Sequence, residues 1–553
     1  ARAARTPRLE TPRSVEEALT QREESVGVEA RQRADEADAK ELLRHVESFH
    51  AQHHDEFVDD SFRPGKGAIF RDGRGWASLD VAERRGLPPV AQWLRPKQIA
   101  RSGGRGAFDA FNQPWRVFRG EPQPDDVCQG ALGDCWLMSA IAVLAERPVL
   151  LKKLFPGGDD LSPAGAYLVR LCLDGTWNMI LVDDLFPCFS TGQLAFSQAA
   201  RRQLYVPLIE KAIAKYYGSY EAIEAGLVGE ALAMLTGYPV DQLKLQPPQG
   251  AEDEEGAPSG FDPDVLWATL LSYKEAGFPA GASCGTDRHA AAAEALGLQT
   301  RHAYSVLKVL TVPGGHRLVQ LRNPWGKQQW RGDWSLQSPK WTPELHRLLR
   351  PRDDPSGTFW ISWEDCLRHF REIDVCKVRS ADSGWTEARL FAPMPPLAPG
   401  ESLVAFDLEL FAATEVEVML SQHSHRSPKA SDQKDIWCAV FDAAPDGGLG
   451  KMRAASPRWV QSQVCLDAVL GPGRYVVVPA VPGYTGRTRS RGAALEDHPP
   501  VLAVFSGKPV VLRARRVGEA LVRDAVIALV KARGQRKPVF DDHTAGAGGL
   551  FGL

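Results

Sequence analysis

A cysteine, a glutamine upstream of it, and a histidine and an asparagine far downstream could together do covalent chemistry in this sequence. Cys135 opens the apolar run Cys135-Trp136-Leu137-Met138-Ser139-Ala140-Ile141-Ala142-Val143-Leu144, and Pro148 stops the pattern soon after. That predicts a buried helix with a thiol in its first turn, preceded by Asp134 as a suitable N-cap residue. Unpaired N–H groups and the positive end of the macrodipole at such a helix start favour thiolate over thiol. Gln129 stands six residues upstream. A loop carrying Gly130 and Gly133 can swing its amide beside the sulfur as an oxyanion donor. Taken alone, a cysteine at a helix start is more often structural than catalytic.

A nucleophilic thiol needs a base, and the base needs an orienting group. Most of the 13 histidines, such as His50, His53 and His54, sit in polar surroundings. His302 instead begins the apolar strand pattern Ala303-Tyr304-Ser305-Val306, a rigid platform for an imidazole. Asn323 ends a following strand, where a hairpin can return it to His302. A neutral amide carbonyl orients an imidazole without adding a second buried charge, and Trp325 is placed to cover that bond. His289, in an alanine-rich stretch, and His316, after a turn, compete as bases but have no asparagine at comparable placement. The pattern thus gives Cys135, His302 and Asn323 as candidate catalytic residues, Gln129 as oxyanion donor and Trp325 as support.

These groups need scaffolding from well-separated stretches. Residues 166–173 alternate as a strand, Asp174-Gly175 is a hairpin turn signal, and 176–182 return as its partner. A helix is expected over 204–217, ending at Gly218. Residues 246–260, rich in Pro, Gly and acid and containing Glu252-Asp253-Glu254-Glu255, read as a solvated loop between two halves of one unit. Strands follow at 303–310 and 316–322, joined by Pro313-Gly314-Gly315, and then the turn Asn323-Pro324-Trp325-Gly326. After a Pro-rich segment at 392–400, short strands at 414–422, 436–441, 475–479 and 501–505 suggest an antiparallel β-sandwich. Last, 517–533 places Leu521, Val522, Ala525, Val526, Leu529 and Val530 on one helical face. The charged first 50 or so residues read as one or two helices behind a disordered tail.

A chain of 553 residues should hold about three domains. Its 44% hydrophobic and 24% charged content is that of a globular protein. A formal charge of −3 gives no electrostatic case for nucleic acid. No apolar run approaches the ~18 residues of a membrane span, and no transmembrane segment is expected. Nine cysteines, an odd number without any C-x-x-C pair, argue against a zinc site or disulfide framework. They point to a reducing, cytoplasmic setting.

The stretch Gln129-Gly130-Ala131-Leu132-Gly133-Asp134-Cys135-Trp136 closely resembles the active-site segment of the calpain cysteine proteases. So do His302-Ala303-Tyr304-Ser305-Val306, Arg322-Asn323-Pro324-Trp325-Gly326 and Tyr217-Gly218-Ser219-Tyr220-Glu221-Ala222. Val182-Asp183-Asp184-Leu185-Phe186-Pro187 and Gly357-Thr358-Phe359-Trp360 match in the same order, so the likeness covers about residues 55–380. The wording of Leu144–Pro148 and Arg301–Tyr304 is most similar to the small-optic-lobes branch. The resemblance implies an α+β fold: a papain-like two-subdomain calpain protease core followed by a C2-like antiparallel β-sandwich. The expected divisions are a charged segment at 1–54, subdomain 1 at 55–250, subdomain 2 at 251–380, the sandwich at 385–515, and a helix and tail at 516–553.

The implied function is an intracellular, calcium-regulated endopeptidase that cleaves protein substrates by limited proteolysis. The sandwich would serve a peripheral membrane or protein contact. A catalytically silent scaffold is one alternative. A transglutaminase-like acyl transferase is a lesser one, since those enzymes orient their histidine with an acid. No Asp-x-Asp-x-Asp-Gly loop and no zinc-finger spacing occurs in these residues. Calpain cores resemble one another in two Ca²⁺ sites, and the resemblance carries the first onto Asp126 and Glu230. At the second, Gln329, Leu336 and Thr358 stand where acids are expected, leaving only Asp353 and Asp354 nearby. At most one Ca²⁺ in the protease core is therefore expected. Without an activator, Cys135 and His302 are expected to lie too far apart for a hydrogen bond, because nothing in the sequence covalently ties the two halves.

Overall fold

The computed structural model describes residues 12–533 apart from 13, 72–89, 101–112, 247–260, 286–289, 327–329, 350, 352–355, 380–382, 395–402, 425, 427–432 and 482–498. The acidic run 252–255, His289, Gln329, Asp353 and Asp354, and most of the Pro-rich segment lie outside the described residues. So do the first eleven residues, on which the expected tail falls, and the last twenty. The chain divides into two compact units: Lys40–Leu171 with Asn178–Val378, and Ala1–Ala39 with Cys172–Trp177 and Arg379–Leu553.

In the first unit, helix Cys135–Leu144 is apolar on every side and accordingly buried from Trp136 to Leu144. Helix Tyr205–Tyr217 ends on Gly218 at φ 97°, the left-handed cap that a residue without a Cβ takes most cheaply. A third helix, Val228–Thr236, packs against the first. Beside them lies a six-stranded sheet in the order Thr358–Ser362, His316–Arg322, His302–Val312, Ala280–Cys284, Phe370–Cys376, Val240–Lys244. Every neighbouring pair is antiparallel. Tyr304, Val306, Val319, Leu321, Phe359 and Ile373 are in its apolar core. The edge strand Val240–Lys244 comes from before the 247–260 stretch, so the sheet gathers chain from both sides of that stretch.

Register in this sheet decides the site. The Gly314-Gly315 turn, both residues at positive φ, sets Val312 opposite His316 and Ser305 opposite Arg322. Asn323, one residue beyond the strand end, is thereby returned to the level where the His302 strand begins.

The second unit is two antiparallel sheets. One runs Arg22–Glu24, Val510–Val517, Leu403–Leu410, Gly473–Ala480, Trp437–Ala443, Leu449–Ala455; the other runs Thr386–Phe391, Val501–Ser506, Thr414–Ser421, Gln463–Leu470. Period-two alternation puts Val404, Phe406 and Leu408 into a core shared with Val416, Val418 and Leu420 of the facing sheet. The opposite alternation, Leu403 and Ala405 with Trp437 and Val476, packs under Val522, Ala525 and Leu529 of helix Glu519–Arg533. The four short strands expected here are present, but among the described residues the two sheets have ten. Arg513, Arg515 and Arg516 on one strand, and Lys451 and Arg453 on another, mask the apolar alternation. Arg22–Glu24 joins as an edge strand, its backbone supplying the pairing that its side chains do not announce.

Candidate active site

Cys135 is the first residue of its helix and half-buried. Asp134 stands at the expected N-cap position but does not cap through its side chain. Its backbone carbonyl accepts from Leu137 (2.9 Å) and Met138 (3.1 Å), but its side chain makes no cap bond. The Asp134 carboxyl is buried beside Glu210, which accepts from the Ser197 N–H and Oγ (2.8 Å). Burial, then the neighbouring carboxylate, pushes Asp134 well above the usual range, and burial pushes Glu210 up to about 7. Burial of both carboxyls favours their protonated forms.

The expected pre-formed thiolate is likewise not what the surroundings favour. Burial pushes the Cys135 thiol up to about 11, Asp134 adding to it, against the N–H groups of Ala303, Trp136 and Cys135 itself. The helix start is outweighed because the sulfur loses more solvation than its N–H groups return. A thiolate here needs a proton acceptor. The Ala303 contact places that sulfur next to the residue following His302.

The His302 ring is buried, and its Nε2 bonds Asn323 Oδ1 at 2.9 Å. With Oδ1 as acceptor, Nε2 is the protonated nitrogen, and the lone pair stands on Nδ1. Oδ1 also accepts from the Trp325 backbone N–H (3.0 Å), and the Trp325 ring lies 4.6 Å from the imidazole. Tyr304 meets the imidazole edge-on at 5.1 Å. Asn323 itself is held by its backbone, donating to Gly357 and accepting from Gly326.

Gln129 is buried in the loop before the helix. Its backbone N–H donates to the Pro324 carbonyl (3.0 Å), and its side-chain Nε2 donates to Leu132 (2.7 Å). That uses one of the two amide hydrogens and leaves the second for another acceptor. Gly130 is required beside it, since a Cβ there would lie 1.8 Å from the Phe196 carbonyl oxygen.

The structure joins the helix and sheet parts of this unit directly. Ser305 Oγ donates to the Ser139 carbonyl (2.8 Å), and buried Arg322 reaches the Val127 carbonyl through Nη2 (2.6 Å). Sequence reasoning missed both residues; a serine and an arginine inside apolar strands beside the His302 and Asn323 motifs were the available signals. His316 lies at the far end of its strand from Asn323, exposed against Trp334.

Asp126 and Glu230, the residues carried over for calcium, lie on separate elements, Pro124–Asp126 and Val228–Thr236. Asp126 is buried, and Arg201 pairs with both of its oxygens (Nε to Oδ1, 2.5 Å; Nη2 to Oδ2), while the Gln123 N–H donates to Oδ2 (2.9 Å). Glu230 lies in the first turn of Val228–Thr236. Among the described residues no three His, Cys, Asp or Glu side chains are grouped to hold a metal. Calcium does not fit at Asp126 in this geometry, because a cation already occupies the carboxylate.

Residues 57–377 match the family described as calpain family cysteine protease. The chain belongs to the calpain family of cysteine proteases. It is 38% identical over 383 residues to the calpain-type cysteine protease DEK1 of Arabidopsis thaliana, covering 68% of this chain and 16% of that protein. It is 39% identical over 327 residues to the calpain-type cysteine protease ADL1 of rice, Oryza sativa subsp. japonica, covering 58% and 14%. Human calpain-14 is 32% identical over 301 residues, covering 53% of this chain and 40% of its own length. The calpain homology therefore spans less than half of each of these relatives.

Proposed function

We propose that this calpain is a thiol endopeptidase in which Cys135, His302 and Asn323 form the catalytic triad. The observation that carries the reading is the buried His302 Nε2–Asn323 Oδ1 bond of 2.9 Å, with the Ala303 N–H at the Cys135 sulfur. His302 Nδ1 takes the thiol proton as sulfur attacks the peptide carbonyl, so the buried charge forms as an ion pair rather than as a lone thiolate. The second amide hydrogen of Gln129 and the Cys135 N–H receive the oxyanion. The imidazolium then protonates the leaving amine, giving a thioester and free amine. Water, deprotonated by the same nitrogen, attacks the thioester; collapse releases the carboxylic acid and restores the thiol. Trp325 keeps water from the His302–Asn323 bond.

We read the two parts of the first unit as papain-like subdomains and the second unit as C2-like. A membrane or protein contact through the sandwich is supported by Phe411 and Val469, large apolar side chains exposed at one end of it. Nine free thiols support a reducing, cytoplasmic setting. No helix among the described residues is long and apolar enough to cross a membrane.

A peptidyl epoxide probe tests the reading. It should label the chain at Cys135, and His302→Ala should abolish labelling together with casein cleavage. Labelling elsewhere, or none in a folded protein, would favour a silent scaffold instead.

A further inference from the structure

Oxygens from one stretch, residues 119–126, converge on a single side chain. The Arg201 guanidinium takes both carboxylate oxygens of Asp126, and also reaches the backbone carbonyls of Arg119 (3.4 Å) and Glu121 (3.3 Å). Asp126 is only 3% exposed, so Arg201 stands where solvent would otherwise meet its carboxylate. Arg201 adopts φ 51°, ψ 25°, and Arg202 follows at φ 53°. Side-chain-bearing residues take that left-handed conformation only where surrounding contacts over-determine it. Here the contacts are the cage itself, together with Arg119 Nε donating to the Arg201 carbonyl (3.1 Å).

A carboxylate and two inward-turned carbonyls are hard-cation ligands. A guanidinium offers a single positive charge without a metal, and its fork matches the carboxylate edge. We propose that Arg201 is a tethered cation standing in this oxygen cage where a divalent metal would otherwise bind, so that residues 119–129 take their shape without calcium. The cage is continuous with the site. Val127, next to Asp126, accepts from Arg322, and Gln129 donates to Pro324, on either side of Asn323. The proposal goes beyond the peptidase reading and does not rest on it, because its readout is metal binding.

Calcium titration of the full chain by calorimetry tests it. Terbium luminescence sensitised by Tyr205, which lies close to Asp126, reports on the same place. The wild-type chain and Asp126→Asn should give the same calcium heat and the same terbium signal. Arg201→Gln should acquire a site at least about tenfold tighter than any the wild type shows there. Adding Asp126→Asn to that variant should abolish the site, and Arg201→Lys should bind no better than wild type. If Arg201→Gln does not fold in chelator, folding restored by calcium is the same supporting result. A wild-type calcium signal that Asp126→Asn removes overturns the proposal, and that comparison needs no Arg201 variant. An Arg201→Gln protein that folds and gains no calcium affinity overturns it as well.

Discussion

Replacing Asn323 with alanine puts a number on the proposed base. Asn323 Oδ1 accepts from His302 Nε2 at 2.9 Å and from the Trp325 N–H at 3.0 Å, beneath an indole 4.6 Å from the imidazole. When His302 becomes an imidazolium, the first bond joins a charged donor to a buried carbonyl. Bonds of that kind contribute about 1.5–3 kcal/mol. Lost in the transition state, that is roughly a ten- to hundred-fold fall in kcat. KM should stay near the parent value, since the amide faces the histidine and not the substrate. The Trp325 N–H, deprived of its acceptor, costs about 1–3 kcal/mol of stability. The fold should survive, because the backbone bonds of Asn323 to Gly357 and Gly326 remain. Steady-state kinetics on a fluorogenic peptide, paired with a thermal melt, separates the two effects. A folded Asn323→Ala protein with kcat within about twofold of the parent would refute the assignment, as would a change confined to KM.

Cys135→Ala should abolish hydrolysis and move the melting temperature by only a few degrees, as little volume leaves a half-buried helix start; cleavage of casein at the parent rate would end that reading. Burial raises Asp184 to about 6 and Glu210 and Asp374 to about 7. Folded chain therefore holds these protons more tightly than unfolded chain, and the stability this lends is complete below the ordinary carboxyl range and lost as pH rises through 6 to 7. Melting temperature should fall from pH 5.5 to pH 8, and Glu210→Gln should flatten that slope; a rise across the window would contradict the assigned shifts. In the sandwich, Phe406 is fully buried between the sheets, and Phe406→Ala should cost about 3–5 kcal/mol in denaturant unfolding of the second unit. A loss below about 1 kcal/mol would show that it is not a core anchor.

How much could be read without coordinates depended on how local the cause was. Helix Cys135–Leu144 was legible because an unbroken apolar run admits only a buried helix. The His302–Val312 and His316–Arg322 strands were legible from alternation about a Gly-Gly turn. That Asn323 returns to His302 follows from hairpin register, so those two residues could be paired in advance, while their joint placement at Cys135 was an expectation. Strands such as Val510–Val517 escaped notice because arginine stems can line a sheet face and hide its period.

What tertiary structure alone decided were the charges. In the sequence Asp134 is a capping side chain, whereas in the fold that carboxyl makes no cap bond and is buried beside Glu210, seventy-six residues away. The Cys135 helix start promised a thiolate, but burial by distant segments raised the thiol instead. The family resemblance carried calcium onto Asp126, whereas in the fold Arg201, seventy-five residues on, pairs with that carboxylate. Periodicity is a property of neighbours along the chain and survives in the sequence. Desolvation and ion pairing depend on what packs against a group through space, and only the folded chain sets them.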